Sequence, residues 1–195
     1  FIIVLDKSMY NGLTDYEHPC QVMADLYTIY EKKKQLSGLK LAYIGDGGNN
    51  MANSLLYGCS KVGMDISIAS PKAYYPQEDV VKKTEDIAKQ SGSEVVITED
   101  IYKAAKEADI LYTDVWTSMG QEKENNMRAE AFQGYQINQE LVDCAKKDVI
   151  VMHCLPANRQ KEITEEVLEG PNSVIFDEAE NRLHVQKAIL VHILS

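Results

Sequence analysis

The sequence predicts an α/β fold, a doubly wound and mostly parallel sheet of five or six strands with helices on both faces. Short β-branched runs alternate along the chain with longer helical patterns, which is the order expected of a parallel sheet covered by helices. The 195 residues contain 45% hydrophobic and 26% charged side chains. This is the composition of an ordinary globular protein, and the length suits a single domain.

The predicted elements of the first half follow one another regularly. A strand over 39–45 ends in a Gly-rich turn, and a helix over 49–62 has small and apolar residues on its inner face. The next strand spans 65–70 and stops at Pro71, because proline lacks the backbone donor that a sheet needs. The remaining elements are a helix over 78–90, a strand over 93–98, a short helix over 102–108 and a strand over 110–114.

The second half continues this pattern to the C-terminus. The very polar stretch 121–132 predicts a mobile loop followed by a helix, and 138–145 predicts a capped helix. The wholly apolar run 149–153 predicts a short buried strand that ends in a polar residue. A last strand is predicted over 173–176, and a last helix over 179–194.

Two predicted helices have the features expected of helices at the boundary to another domain. The segments 18–35, before the first strand, and 179–195, after the last one, each predict a helix with a broad apolar face that needs cover. Residues 1–5 are an apolar, strand-like start without an initiator Met, which suggests a trimmed chain. The expectation is one domain over 1–195 whose outer helices bridge to a domain that these residues lack.

Charge and composition argue against several classes of function. The net charge of −10 disfavours nucleic-acid binding, because a phosphate backbone requires clustered Lys and Arg. No run approaches the ~18 apolar residues of a membrane span, and no secretory leader opens the chain. Four cysteines lie far apart without a C-x-x-C pair, which predicts reduced thiols in a cytoplasmic protein and no disulfide framework or zinc site. They are Cys20, Cys59, Cys144 and Cys154.

Polar and reactive side chains follow four of the predicted strands. Ligands of an open α/β sheet bind beyond the carboxyl ends of its strands, so these segments predict a site. They are 45–50 (Gly-Asp-Gly-Gly-Asn-Asn), 114–120 (Asp-Val-Trp-Thr-Ser-Met-Gly), 153–156 (His-Cys-Leu-Pro) and 177–182 (Asp-Glu-Ala-Glu-Asn-Arg).

The glycine-rich turn does not match a dinucleotide site well. Gly45 and Gly47 fit the G-x-G-x-x-G fingerprint, but Asn50 stands at its third position and no acidic residue ends the second strand. Nicotinamide binding is therefore disfavoured. Asn49 and Asn50 could instead cap the following helix or hold a small polar ligand.

The other candidate residues also have purely structural interpretations when each is taken alone. Cys154 could be a buried small hydrophobe, which is the commonest fate of a free cysteine. Asp114 could cap a strand or pair with a ligand ammonium. Arg182 could pair with Glu178 one turn earlier on a helix, or bind an anion. His18 stands before a Pro-initiated helix.

Taken together, these residues resemble the ornithine carbamoyltransferases of the transcarbamylase superfamily. The matching motifs occur in family order, from about residue 10 to the C-terminus. They are 11–15 (Asn-Gly-Leu-Thr-Asp) with 18–21 (His-Pro-Cys-Gln), 114–122 (Asp-Val-Trp-Thr-Ser-Met-Gly-Gln-Glu), 153–156 (His-Cys-Leu-Pro) and 178–182 (Glu-Ala-Glu-Asn-Arg).

The resemblance implies how ornithine would be held. Asn50, Asp114, Ser118 and Met119 would bind its α-amino and α-carboxylate groups, although loop length leaves Asn49 as an alternative to Asn50. Cys154 would lie beside the attacking δ-amine, with Asp114 close by. A thiol and a carboxylate could manage the proton that the amine must lose before it attacks.

The resemblance also implies a carbamoyl phosphate site. Its residues would be His18, Pro19, Cys20, Gln21, Cys154, Leu155 (through its carbonyl) and Arg182. Of these, His18 and Arg182 would join Cys154 and Asp114 as catalytic residues, since they can stabilise the oxyanion at the carbamoyl carbon. The resemblance implies no metal and no cofactor.

The Ser-Thr-Arg-Thr phosphate loop of the family is missing from the sequence. The resemblance places it in an N-terminal carbamoyl phosphate-binding domain ahead of residue 1, together with most contacts of a homotrimer or a multiple of it. The intact enzyme is expected to make L-citrulline and phosphate from L-ornithine and carbamoyl phosphate. Residues 1–195 alone are expected to be an inactive binding module. A putrescine carbamoyltransferase is the alternative, which Ser-Met-Gly at 118–120 disfavours.

Overall fold

The structure, a computed structural model, describes residues 2–5, 8–117 and 125–195. The described chain begins with an antiparallel pair of strands, β1 (Ile2–Leu5) and β2 (Ser8–Asn11). The sequence predicts the first of these strands but not the second, because Ser-Met-Tyr-Asn shows no alternation of apolar and polar residues.

A five-stranded parallel sheet forms the centre of the domain. Its strands are β3 (Lys40–Ile44), β4 (Asp65–Ala69), β5 (Val95–Thr98), β6 (Ile110–Thr113) and β7 (Ile150–His153). Their spatial order is β5-β4-β3-β6-β7. The chain therefore starts at the centre, runs to one edge and returns to build the other, which confirms the predicted doubly wound fold. The order reverses between β3 and β6, where ligands bind in such sheets.

Eight helices in the described residues surround this sheet. They are α1 (Pro19–Lys33), α2 (Asn50–Lys61), α3 (Glu78–Ser91), α4 (Ile101–Ala105), α5 (Asn125–Ala131), α6 (Gln139–Asp143), α7 (Glu165–Leu168) and α8 (Ile175–Leu194). A 3₁₀ turn spans Lys72–Tyr74. Among these helices none has the length and apolarity needed to cross a membrane.

The strands bury opposite side chains on the two faces of the sheet, as the pleat requires. Leu41 and Tyr43 of β3 belong to a core with α1, α2 and α3, whereas Ala42 and Ile44 belong to a second core with α4, α6 and α7. The helices thus cover both faces. This two-sided burial explains why the strands are nearly continuous apolar runs.

The predicted last strand over 173–176 is wrong. Ser173 forms a single parallel bridge with Val151, supported by a hydrogen bond from the Val174 amide to the Val151 carbonyl at 3.0 Å. Helix α8 then starts at Ile175, four residues before its predicted start. Short apolar runs do not distinguish strand from helix, and the acidic Asp177 and Glu178 in the first turn favour a helix.

Helix α2 lies very close to α1 at Gly58. A β-carbon added there would lie 2.4 Å from Cγ1 of Val22, a buried side chain with a stiff χ1 angle. Gly58→Ala should therefore lower the free energy of unfolding by about 1–3 kcal/mol, despite the better helix propensity of alanine. Urea denaturation measures this change.

Val22→Ala provides the matched control, because it removes the atom that the new β-carbon meets. The double variant should lose less stability than the sum of the single changes, since the two residues are in contact. A stabilised Gly58→Ala protein would contradict the close approach of the two helices.

Candidate active site

A cleft of about 870 Å³ opens at the carboxyl ends of the strands, where the strand order reverses. Each of the four predicted segments contributes to its wall. The contributing residues include Asn49 and Asn50 after β3, Asp114 after β6, Cys154 after β7 and Arg182 from α8. The side chains that the sequence singles out therefore meet in one cavity.

Asp114 is a buried carboxylate in the lining of this cleft. Its side chain is only 7% exposed, and burial raises its pKa above the ordinary value. The Cys154 thiol and the Val115 amide donate to its Oδ1 atom at 3.1 and 2.8 Å, and the Asn49 amide donates to Oδ2 at 3.1 Å. These donors stabilise the charged form and oppose the effect of burial, so the carboxylate is held in a fixed orientation.

Cys154 faces Asp114 as a protonated thiol. Burial raises its pKa well above the ordinary value, and the negative charge of Asp114 adds to this shift. A thiolate is the reactive form of cysteine. At neutral pH the Cys154 side chain is therefore a hydrogen-bond donor to Asp114 and not a nucleophile.

Asn49 and Asn50 occupy different positions at the start of α2. Asn49 is the N-cap, since its side-chain oxygen accepts from the Ala52 amide at 2.8 Å while its NH₂ group donates to Asp114. The Asn50 side chain also lines the cleft, and its NH₂ group donates to the Thr14 carbonyl at 2.8 Å. Asn49 thus both caps α2 and contacts Asp114 in the cleft. Asn50 connects the segment before α1 to the cleft.

His18 and Arg182 lie on the wall of the cleft next to α1 and α8. Arg182 donates through Nη1 to the side-chain oxygen of Gln21, which is itself buried behind the wall. Burial, followed by the charge of Arg182, lowers the pKa of His18 from 6.5 to about 4. His18 is therefore neutral at neutral pH, beside a permanent cation.

Of the remaining predicted site residues, some line the cleft and others do not. Leu155 lines the cleft, in a left-handed backbone conformation with φ of 58°. Pro19 faces a separate groove between α1, α2 and α3, and Cys20 is buried with its thiol donating to the Asn11 carbonyl at 3.1 Å. The predicted ornithine contacts Ser118 and Met119 lie outside the described residues.

The sequence interpretation missed an ion pair in the wall of the cleft. Arg128 of α5 donates to Asp46 at 2.6 Å, and both side chains are less than a tenth exposed. Arg128 also donates to the Trp116 carbonyl at 3.0 Å and lies over the Tyr74 ring. The turn after β3 is thereby joined to the segment after β6. One arginine in a polar stretch gives no signal of such a long-range contact.

His18 should give the stability of the protein a pH dependence. Its folded-state pKa of about 4 lies below the unfolded value of 6.5, so the unfolded chain binds a proton first as the pH falls. The stabilising contribution is complete above pH 6.5 and is lost as the pH decreases toward about 4. Urea denaturation of wild type and His18→Gln across this window should therefore show the stability difference shifting in favour of the variant. A constant difference would contradict the lowered pKa.

The fold and the cleft define an α/β ligand-binding domain with its site at a topological switch point. The family model "Aspartate/ornithine carbamoyltransferase, Asp/Orn binding domain" matches residues 37–193. The chain belongs to this family, and it corresponds to the amino-acid-binding domain that the description names. The resemblance that the four motifs carry is thereby confirmed.

Individual relatives agree with this membership. An ornithine carbamoyltransferase of Gloeobacter violaceus is 58% identical over 184 residues, which are 94% of this chain and 58% of the relative. One from Bacillus subtilis is 54% identical over 189 residues, or 97% of this chain and 59% of the relative. The chain therefore spans less than two thirds of the length of these relatives.

Solved structures of ornithine carbamoyltransferases are also similar to this chain. The ornithine carbamoyltransferase from Pyrococcus furiosus is 50% identical with a TM-score of 0.88, and the match covers 92% of this chain and 57% of that one. For the enzyme from Gloeobacter violaceus the identity is 56% and the TM-score 0.85, with 92% and 60% covered. The predicted fold class is confirmed by these similarities.

Proposed function

We propose that the protein containing these residues transfers the carbamoyl group of carbamoyl phosphate to the δ-amine of L-ornithine, giving L-citrulline and phosphate. Residues 1–195 supply the ornithine half of the site. The observation that carries this proposal is the meeting of Asp114, Cys154 and Arg182 in one cleft at the switch point. The names of relatives at 54–58% identity support the same reaction.

The ornithine side of the site is built around Asp114. A buried carboxylate attracts the δ-ammonium group of ornithine, because the cleft shields their charges from water. The raised pKa of Asp114 also makes it a better proton acceptor when that ammonium becomes the attacking amine. Cys154 holds the carboxylate in place. In this proposal the α-amino and α-carboxylate groups are contacted by Asn50, Asp114, Ser118 and Met119.

The carbamoyl side of the site is built from His18, Gln21, Leu155 and Arg182. Attack of the amine on the carbamoyl carbon places negative charge on the carbamoyl oxygen. The Arg182 guanidinium and a neutral His18 N–H can stabilise that charge, which is the main source of acceleration in acyl transfer. Holding the two substrates face to face supplies much of the rest.

A second domain completes the enzyme in this proposal and binds the phosphate group. The outer helices α1 and α8 retain large exposed apolar side chains, which supports a role in bridging to that domain. These side chains are Met23, Tyr27 and Tyr30 of α1 and Phe176, Leu183 and Val191 of α8. By the same resemblance, the intact enzyme is a cytoplasmic homotrimer or a multiple of it.

The full-length enzyme provides the direct test of the reaction. Citrulline formation from ornithine should exceed carbamoylation of putrescine by about 100-fold in kcat/KM, because putrescine leaves the groups that bind the α-amino and α-carboxylate unpaired. A preference for putrescine would favour the alternative enzyme. An enzyme that carbamoylates neither amine would refute the proposal.

The isolated residues 1–195 should bind ornithine weakly and catalyse no detectable transfer, because the second substrate site is incomplete without the other domain. Titration calorimetry of this fragment with ornithine alone measures the affinity. Tight binding would contradict the proposal that the two halves act together.

A further inference from the structure

Two carboxyl groups lie side by side in the interior behind Arg182. Asp25 of α1 and Glu178 of α8 are both fully buried and do not line the cleft. The hydroxyl of Tyr112 lies 3.1 Å from an oxygen of each, and the NH₂ group of Gln21 donates to Asp25 at 2.8 Å and to Glu178 at 3.2 Å. The two side chains therefore share both of these donors.

This pair carries at least one proton at neutral pH. Two adjacent buried carboxylates cannot both keep their charge at low cost, so one of them retains a proton. Burial raises the pKa of Asp25 to about 7, and burial together with the charge of Asp25 raises that of Glu178 well above its ordinary value. The charge of Arg182 opposes the shift at Asp25. The pair thus carries at most one negative charge at neutral pH, close to the Arg182 guanidinium.

The pair determines how the Gln21 amide is oriented. An amide has a donor end and an acceptor end, and the carboxyl oxygens accept from the donor end. The Gln21 oxygen must therefore point to Arg182, whose Nη1 atom donates to it. The reversed amide would place its oxygen against the carboxyl oxygens and its NH₂ group against a guanidinium.

Glu178 connects the same pair to the end of β7, next to Cys154. Its Oε2 atom accepts from the His153 amide at 3.0 Å, and His153 directly precedes Cys154. Tyr112, the other shared donor, lies on β6 two residues before Asp114. One buried pair therefore contacts α1 and α8, which carry Gln21 and Arg182, and β6 and β7, which directly precede Asp114 and Cys154.

We propose that Asp25 and Glu178 are positioning residues for the carbamoyl side of the site, which act by fixing the Gln21 amide with its oxygen toward Arg182. This inference rests on the proposed function. An ordinary buried network would affect only stability. The effect of Asp25 and Glu178 on the substrate instead passes through the Gln21 amide group. Removing the pair should weaken the use of carbamoyl phosphate and leave ornithine binding nearly unchanged.

The kinetic test uses the full-length enzyme with Asp25→Leu, Asp25→Asn and Gln21→Met. Asp25→Leu removes the nearer of the two acceptors for the Gln21 NH₂ group. It should raise the KM for carbamoyl phosphate by about 10-fold, while the KM for ornithine changes by less than about 2-fold. Asp25→Asn reproduces the singly protonated pair and should retain the wild-type KM. In a Gln21→Met background, Asp25→Leu should add less than about 2-fold.

Thr28→Val is the matched control for loosening of α1 and α8. Thr28 is fully buried one turn after Asp25, and its hydroxyl accepts from Asn181 of α8 at 3.0 Å. The control should change stability without changing the KM for carbamoyl phosphate. Additive effects of Asp25→Leu and Gln21→Met, or an equal rise of KM in Thr28→Val, would overturn the inference.

A spectroscopic measurement covers the case in which Asp25→Leu does not fold. Infrared spectra of wild type at neutral pH should contain the carbonyl band of a buried protonated carboxyl group, which Asp25→Asn and Glu178→Gln should each lose. Absence of that band from wild type would refute the shared proton. A wild-type enzyme without carbamoyltransferase activity would refute the proposed function instead, so the two failures are separable.

Discussion

Asp114→Asn should lower kcat/KM for ornithine by about 100-fold or more, because the change removes a charge and misplaces a donor. Both oxygens of Asp114 accept hydrogen bonds, from Cys154, Val115 and Asn49. An asparagine NH₂ group at either oxygen position would face a donor. The side chain would also lose its attraction for the δ-ammonium group and its capacity to accept a proton.

Steady-state kinetics of the full-length variant with each substrate measures this effect. The KM for carbamoyl phosphate should change little, because the two charged or polar side chains proposed to bind its carbamoyl group, His18 and Arg182, make no hydrogen bond to Asp114 among the described residues. Equal losses for both substrates would mean that Asp114 is assigned to the wrong part of the cleft.

Asp109→Asn is a matched control for this experiment. Asp109 is a buried aspartate at the other end of β6, where its carboxylate accepts from Lys146 at 2.9 Å and from the Lys40 amide at 2.9 Å. Its replacement should reduce the free energy of unfolding and leave the kinetics with ornithine intact. The comparison separates the loss of a buried carboxylate from the loss of a group in the cleft.

The geometry of Asp114 and Cys154 indicates a division of labour between the two side chains. Asp114 carries the charge and the proton affinity, because burial raises its pKa without abolishing its hydrogen bonds. Cys154 remains a thiol that donates to that carboxylate, and in the proposed reaction its part is to orient it. This refines the sequence interpretation, which allows either a thiol or a thiolate beside the amine.

The sheet and the cleft were predictable because both follow from general rules of parallel α/β folds. Alternating apolar runs and helical patterns identify the strands, and ligands bind at their carboxyl ends. The run 149–153 illustrates this, since an apolar strand that ends in His153 and Cys154 directs attention to that edge. Even without coordinates, these rules place Asp114 and Cys154 on the same rim.

The contacts behind the cleft were not predictable from one sequence. Glu178 occupies the first turn of α8, where an acidic residue suits the helix dipole and is normally exposed to solvent. It is fully buried because Asp25, 153 residues earlier, and Tyr112 meet it in the interior. A helical pattern shows which face is buried, but it does not show which side chain of another element lies opposite.

Cys154→Ser should reduce kcat by about 100-fold while the free energy of unfolding changes by no more than about 1 kcal/mol. The serine hydroxyl is a stronger donor than the protonated thiol and makes a shorter bond to a carboxylate. It would draw Asp114 toward itself and lower the pKa of that carboxyl group. The carboxylate would then accept a proton from the amine less readily. Turnover assays and urea denaturation of the same preparation measure both quantities.

Cys59→Ser should give the opposite pattern, a loss of stability without a loss of turnover. Cys59 lies fully buried on α2 in the core formed with α1 and α3, far from any role in the cleft. A hydroxyl placed in that apolar surrounding should cost about 1–3 kcal/mol of stability and leave turnover unchanged. The two substitutions would thus distinguish a cysteine that affects turnover, Cys154, from one that affects only stability, Cys59. Unchanged turnover in Cys154→Ser would show that Cys154 acts only through packing, despite the 3.1 Å contact between its thiol and an oxygen of the buried Asp114 carboxylate.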